Sequence, residues 1–88
     1  MIVFNMENIQ DGILFFNAPW CGPCKAVKKY LTPETMEEHG VISVDLAEYP
    51  EMAAQYQVAS VPTFVKLKGG NAQKSHVGRL SLEDLKTF

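Results

Sequence analysis

The feature that most limits how this 88-residue chain can fold is a run of four apolar residues, 13–16, that leads almost directly into two cysteines spaced three residues apart. Because the apolar residues are consecutive rather than alternating, the run predicts a strand that is covered by helices on both faces. Residues 25–31 follow the cysteines with apolar side chains at helical spacing and lysines between them. The cysteines are therefore predicted to lie where a buried strand passes into a helix.

The rest of the chain continues the alternation of strands and helices. Thr32 is predicted to cap a second helical segment that ends at Gly40, and Pro50 to open a third. Ser81, with an acidic residue three positions later, resembles the capping box of a last helix. The predicted strands are residues 2–4, 13–16, 41–46, 61–68 and 73–77, with a turn at 69–71 between the last two. This β-α-β-α-β-α-β-β-α order predicts an α/β fold, with a central mixed sheet of four to five strands flanked by helices on both faces.

Size and composition predict a single domain over residues 1–88. A chain of 9.8 kDa buries about 64% of its unfolded surface, which is enough for one core without a metal or several disulfides. Hydrophobic residues make up 47% and charged residues 20%, as is typical of globular proteins. The net charge of −2 with no basic block argues against nucleic acid as a partner, and no apolar run approaches the ~20 residues of a membrane span. We expect a monomer with neither nucleic acid nor a membrane as its partner.

Cys21 and Cys24 are the only two cysteines, and they stand in the run Trp-Cys-Gly-Pro-Cys. A disulfide between them would close so short a loop that chain entropy gives only about 2 kcal/mol, so redox chemistry explains the pair better than stabilisation does. A thiol attacks a disulfide only as the thiolate, and the N-terminus of a helix stabilises that charge. Pro23 suits the first turn of such a helix. Cys21 is thus predicted to present an exposed sulfur, with Cys24 shielded one turn further in.

The cysteine pair has two alternative interpretations. It could be half of a zinc site, or the two side chains could merely pack in the core. Zinc would need two further ligands, but the chain has no other cysteine, and His39 and His76 lie far away at no recognised spacing. We therefore expect no metal site and no bound cofactor, and we expect both histidines to face solvent. The sequence has no glycine signature for a nucleotide, so electrons would come from a separate reductase.

Three motifs together resemble the thioredoxin family. They are Trp-Cys-Gly-Pro-Cys at 20–24, Val-Pro-Thr at 61–63 and Val-Gly at 77–78, in the family's order and at compatible spacing over nearly the whole chain. The Gly-Pro pair between the cysteines is similar to the pattern of the reducing members of the superfamily. The short segments around the motif are similar to the small, glutaredoxin-sized thioredoxins of phages and archaea.

The resemblance implies a role for each motif residue. Cys21 would be the attacking nucleophile and Cys24 the resolving thiol. Pro62 would be a cis-proline that faces the cysteines, and its neighbour Val61 would pair with the substrate backbone. The other residues implied to line or support the docking surface are Trp20, Gly22, Pro23 and Gly78.

The same resemblance implies a protein-disulfide reductase that acts on disulfide-containing proteins and is recharged by a thioredoxin-reductase-like or glutathione-linked electron donor. Because residues 1–10 carry no cationic segment followed by an apolar stretch, we expect no secretory signal and a cytoplasmic location. Two alternatives stay open. One is a glutaredoxin-like, glutathione-dependent reductase, which the small size suggests, although glutaredoxins usually have Pro-Tyr between the cysteines. The other is a binding module on a thioredoxin fold, with an incidental redox pair.

Two positions depart from the family pattern. Thioredoxins usually keep a buried aspartate six residues before the first cysteine, where this chain has Phe15, and the lysine that partners it aligns with Val41. Such a carboxylate would serve as the base for the resolving step. The sequence offers no replacement, because Asp45 and Glu48 near the end of their strand are expected to be solvated. We therefore hypothesise that water or the departing thiolate takes the proton of Cys24.

Overall fold

The computed structural model describes residues 9–88 as four strands and four helices in the predicted order. The elements are β1 (Gly12–Asn17), α1 (Gly22–Tyr30), α2 (Pro33–His39), β2 (Val41–Asp45), α3 (Pro50–Gln55), β3 (Thr63–Lys68), β4 (Asn71–Val77) and α4 (Leu82–Thr87). The strand predicted at 2–4 lies outside the described residues, as does most of the polar stretch at 5–12, which has room for about two helical turns. Residues 9–11 of that stretch are not helical, and Gly12 begins β1. None of the helices in this part of the chain is long and apolar enough to cross a membrane.

The sheet has the order β2-β1-β3-β4, with β1 parallel to β2 and antiparallel to β3, and β3 antiparallel to β4. Successive side chains of a strand point to opposite faces, and those of β1 divide in this way between two hydrophobic clusters. Phe15 lies in a cluster with residues of α1 and α4, and Phe16 lies in a cluster with residues of α3. Five of the six β1 residues are buried, which confirms the predicted mixed sheet with helices on both faces.

The hairpin between β3 and β4 differs slightly from the prediction. The turn comprises only Gly69 and Gly70, both with positive φ (59° and 80°), and the next residue, Asn71, already pairs with Lys68. Positive φ at both central positions is what a two-residue hairpin turn of type I′ requires. The turn predicted at 69–71 is therefore one residue too long, because Gly69 and Gly70 suffice to reverse the chain.

The helix boundaries follow the predicted capping residues. The Thr32 hydroxyl oxygen accepts the Thr35 N–H at 3.3 Å at the start of α2, and Gly40 ends that helix with φ 66°. The Ser81 hydroxyl oxygen accepts the Asp84 N–H at 3.1 Å at the start of α4. Side-chain capping satisfies N–H groups that have no partner within the helix, so these short residues fix where each helix begins.

Candidate active site

The two cysteines lie at the junction of β1 and α1, as predicted. Cys21 is the N-cap of α1 with an extended backbone (φ −86°, ψ 107°), and its N–H is bonded to the carbonyl of Ala18 at 3.1 Å. A disulfide joins Cys21 to Cys24, whose Cα atoms are 5.2 Å apart. The turn between strand and helix therefore holds both sulfurs in bonding geometry.

The start of α1 is electrostatically suited to a sulfur anion. The Cys24 N–H donates to the Sγ of Cys21 at 3.1 Å, so a backbone donor of the first helical turn already points at this sulfur. The first turn of α1 contains no acidic residue, and Lys28 and Lys29 lie in its last turn. The N-terminus of a helix carries about half a positive charge. The site thus offers a partial positive charge and a hydrogen-bond donor where a Cys21 thiolate would form.

The exposure of the cysteines differs from the prediction in degree. Cys21 is 5% exposed and Cys24 is fully buried, so the expected order is found, but Cys21 is not an exposed residue in the disulfide form. The reason lies in the N-cap position, because the sulfur of Cys21 turns inward to accept the Cys24 N–H and to bond the Cys24 sulfur.

An apolar floor lies beneath the disulfide. Phe15 is fully buried, and its ring stacks on that of Phe64 with centroids 4.9 Å apart. Phe15, Val41 and Cys24 belong to one hydrophobic cluster. Among the described residues the buried polar side chains are Asn17 and Thr63, and none of the buried side chains is a carboxylate or a lysine. Asp45 is half-buried rather than fully solvated, and its Oδ1 accepts the Ala47 N–H at 2.9 Å. Phe15 and Val41, both apolar and buried, thus occupy the two positions where the family usually has a buried aspartate and its partnering lysine.

Asn17 is a site-supporting residue whose role the sequence did not reveal. It is 3% exposed, and its Nδ2 donates to the carbonyl of Phe15 at 3.0 Å, the hydroxyl of Ser43 at 2.9 Å and the carbonyl of Val44 at 3.3 Å. It ties the end of β1 to β2 just before the turn that carries Cys21. The available signal was a polar residue that directly ends an apolar strand.

Replacement of Asn17 by alanine is expected to destabilise the fold by about 1–3 kcal/mol, because it removes the hydrogen bonds of a buried amide to Phe15, Ser43 and Val44. A urea unfolding curve measures this loss as a lower midpoint. Ser43→Ala is the matched control, since it removes one exposed partner of the same amide and should cost less. Equal stability of Asn17→Ala and the unmodified protein would show that the amide network does not hold the strand ends together.

The segments before β3 and after β4 lie beside the disulfide end of the sheet and complete the site. The Val61–Pro62 peptide bond is cis, as the resemblance implied, and Val61 packs against the cluster that contains both cysteines. Gly78 has φ 107° and donates its N–H to the carbonyl of Pro62 at 2.9 Å. The structure therefore brings Pro62 and Gly78 together across the end of the sheet.

The remaining predicted site residues lie on the surface. Trp20 is 68% exposed, and Gly22 and Pro23 are exposed at the beginning of α1. Trp20 stands beside the disulfide in the chain and presents a large apolar side chain to solvent. Tryptophan is enriched among the residues that contribute most to binding at protein interfaces.

The two histidines are half-buried, so the expectation that they face solvent is only partly correct. The Nε2 of His76 lies 3.1 Å from the carbonyl oxygen of Arg79, which explains its position. Over residues 9–88, no group of three or more His, Cys, Asp or Glu side chains could hold a metal ion.

The family model for thioredoxin matches residues 4–88. Mitochondrial thioredoxin of Bos taurus is 31% identical over 98 residues, which cover 92% of this chain and 59% of that protein. The chain thus spans less than two thirds of the length of this relative. Thioredoxin of Bacillus subtilis is 40% identical over 80 residues, with 85% of this chain and 76% of that protein covered. The bifunctional thioredoxin reductase/thioredoxin of Mycobacterium leprae is 41% identical over 66 residues, which are 72% of this chain and 14% of that protein.

Solved structures show the same similarity in three dimensions. A mutant thioredoxin from Halobacterium salinarum superposes with a TM-score of 0.77 at 30% identity, over 92% of this chain and 73% of that one. The oxidised form of mitochondrial thioredoxin 3 from Saccharomyces cerevisiae gives a TM-score of 0.73 at 27% identity, over 92% and 77%.

Proposed function

The chain belongs to the thioredoxin family and has its fold, and from this premise we propose that it is a thiol–disulfide oxidoreductase that reduces disulfide bonds in proteins. The observation that carries the proposal is the Cys21–Cys24 disulfide at the N-terminus of α1. We assign the activity to a single thioredoxin-like domain, residues 1–88. The family uses no cofactor beyond its redox-active disulfide.

In the proposed reaction, both cysteines begin as thiols. The Cys21 thiolate attacks one sulfur of the substrate disulfide, which forms a mixed disulfide and releases the first substrate thiolate. Cys24 then loses its proton, and its sulfur attacks the Sγ of Cys21, which releases the second substrate thiolate. Both released thiolates take up protons, so two electrons and two protons pass to the substrate while Cys21 and Cys24 form their disulfide.

The geometry supports a different role for each sulfur. Cys21 keeps some solvent exposure and receives the backbone donor at 3.1 Å, which suits the attacking group. Cys24 is fully buried and lies one turn inward, so a substrate cannot reach it before Cys21 has reacted. Because both thiols are held on one rigid turn, the resolving attack is intramolecular and has a high effective concentration.

The resolving step should depend on pH, because none of the buried side chains among the described residues is a carboxylate that could take the proton of Cys24. We propose that water or the departing thiolate accepts it. The rate of resolution is then expected to fall about tenfold for each pH unit below the pKa of the Cys24 thiol, since only the thiolate attacks. Stopped-flow release of the second substrate thiol measures this step, and a rate that stays constant into the acid range would reveal an internal base. The attack step, followed separately in Cys24→Ser, is the control.

For the docking surface, we propose that Trp20, Gly22, Pro23 and Gly78 surround the disulfide and that Val61 pairs with the substrate backbone. The 68% exposure of Trp20 supports this assignment, as does the bond that ties Gly78 to Pro62. Pro62 cannot donate a backbone hydrogen bond, which leaves the edge beside it for pairing through its neighbour.

We further propose that a thioredoxin-reductase-like protein recharges the disulfide of a monomeric protein in the reducing cytoplasm. The Mycobacterium leprae relative, whose name joins a reductase to a thioredoxin, supports this partner. The test is a pair of coupled assays, one with NADPH and thioredoxin reductase and one with glutathione and glutathione reductase. Turnover only with glutathione would favour the glutaredoxin-like alternative, against which the Gly-Pro pair between the cysteines argues.

A further inference from the structure

The turn that carries Cys21 is held by hydrogen bonds at both ends. At its start, the Asn17 carbonyl accepts the Leu46 N–H at 2.8 Å, which joins the end of β1 to the chain that follows β2. At its end, the Cys21 N–H donates to the carbonyl of Ala18 at 3.1 Å. Residues 19 and 20 between them are exposed. The place of Cys21 therefore depends on where residue 17 directs the chain into the turn.

The side chain of Asn17 fixes the same point from a second direction. Its two amide N–H groups are shared among three acceptors, which are the carbonyls of Phe15 and Val44 and the hydroxyl of Ser43. The side chain is 3% exposed, so water competes little for these bonds. Both the main chain and the side chain of the last residue of β1 thus tie this strand to β2, directly before the turn begins.

The position of this turn matters most in the reduced protein. In the disulfide form, the bond to the Cys24 sulfur holds Cys21 in place. Reduction breaks that bond, and the Cys21 sulfur is then held by the turn and by the Cys24 N–H, which lies 3.1 Å from it in the disulfide form. A hydrogen bond weakens steeply when it is misaligned, and the field of a helix end falls off within one turn. A small shift of Cys21 therefore removes stabilisation from its thiolate.

The amide of Asn17 is uncharged, so its effect on the nucleophile can be separated from that of the charges around it. The charged side chains and the histidine at the disulfide end of the described elements are Lys25 on α1, Asp45 at the end of β2, Glu48 and Glu51 around the start of α3, and His76 and Arg79 on either side of Gly78. Replacement of Asn17 by a neutral residue changes none of these groups. An altered acidity of Cys21 in such a variant therefore reports its position.

We propose that Asn17 is a positioning residue for the nucleophile. Its amide fixes the start of the turn, and through the turn it keeps the Cys21 sulfur within reach of the Cys24 N–H when the protein is reduced. Functional groups need support of this kind, because a displacement of about 0.5 Å already impairs a site. The inference rests on the proposed reductase function, in which the two cysteines carry out the reaction and Asn17 acts only through the backbone between them.

The pH dependence of alkylation by iodoacetamide, measured on the reduced protein, tests the proposal, and mass spectrometry identifies the residue that reacts. Asn17→Ala should raise the pKa of the Cys21 thiol by about 0.5 or more, because the thiolate loses part of its stabilisation. Below both pKa values, its alkylation should then slow by about threefold or more, since only the thiolate reacts. Asn17→Ser keeps a hydroxyl that can donate one hydrogen bond, so its pKa should lie between those of the alanine variant and the unmodified protein.

Ile13→Val is the matched control. It trims a buried side chain of the same strand about 13 Å from Asn17, and it should keep the unmodified pH profile. Circular dichroism shows which variants are folded, and Asn17→Ser decides the question if the alanine variant does not fold. An unchanged Cys21 pKa in the folded Asn17 variants overturns the positioning role alone, as does an equal rise in Ile13→Val. Failure of the unmodified protein to reduce any protein disulfide overturns the reductase function, and the positioning role with it.

Discussion

Cys21→Ser is expected to lower the rate of protein-disulfide reduction by a factor on the order of a thousand or more, to the uncatalysed background. A serine hydroxyl at the N-cap can still accept the Cys24 N–H, so the fold of α1 should survive the change. The hydroxyl cannot attack a disulfide at neutral pH, and buried Cys24 is not accessible to a substrate. Turnover in an insulin-reduction assay, beside the circular dichroism spectrum of the variant, measures both expectations.

Cys24→Ser is the companion variant, and its expected defect is different from that of Cys21→Ser. Cys21 can still attack, but no second thiol resolves the mixed disulfide, so one substrate molecule should remain covalently attached to each protein molecule. Mass spectrometry detects this adduct directly. A Cys24→Ser protein that turns over like the unmodified one, or an adduct that forms on Cys21→Ser, would reverse the two assignments.

The double variant addresses the binding-module alternative. If the fold served only for binding, partner association should survive replacement of both cysteines by serine. For a reductase, capture of substrates through Cys24→Ser should be lost when Cys21 is also replaced. The two functions therefore predict opposite results from the same protein.

Phe15→Asp is expected to destabilise the fold by about 3–5 kcal/mol or more at neutral pH. Removal of a large buried aromatic side chain alone costs that much, and the carboxylate would lie unpaired in an apolar cluster. Phe15 is fully buried and stacks on Phe64 at 4.9 Å, while Val41 stands where the family has a partnering lysine. Unfolding in urea, followed by the circular dichroism signal, measures the loss.

The loss should become smaller in acid. Burial raises the pKa of the new carboxyl above its unfolded value of about 3.9, so the folded state binds more protons than the unfolded state between the two pKa values. Stability then rises as the pH falls through the folded pKa, and the penalty is largest above it. Phe15→Leu, which removes ring volume without a charge, is the control and should show no such pH dependence. Equal stability of the two variants at neutral pH would contradict the apolar floor.

The apolar floor also limits how the missing base can be studied. Restoring the family's aspartate at position 15 requires a compensating change, because the surrounding side chains are fitted to a ring. The pH profile of the resolving step in the unmodified protein is therefore the better test of how Cys24 loses its proton.

The strands and helices were predictable because local physical signals agreed with the global fold. The consecutive apolar residues of β1 indicated burial on both faces, and Thr32, Gly40 and Ser81 are caps in the structure as in the prediction. The place of the cysteine pair was also predictable, because an apolar strand precedes it and apolar residues at helical spacing follow it. These features depend on neighbours in the sequence.

The features that the sequence did not reveal depend on distant residues. Asn17 could be recognised only once β2 was placed beside it, because two of its three acceptors belong to Ser43 and Val44. The low exposure of Cys21 follows from the path of the turn that carries it. No periodicity of the chain encodes such contacts.

The most direct test of the account is the titration of the Cys21 thiol in the reduced protein, followed by the pH dependence of its alkylation. Because the N-terminus of α1 stabilises the anion, we expect the pKa of this thiol to lie below the ordinary value of about 8.5 and well below that of Cys24. A Cys21 thiol that titrates at the ordinary value or above it would contradict the claim that the start of this helix activates the nucleophile.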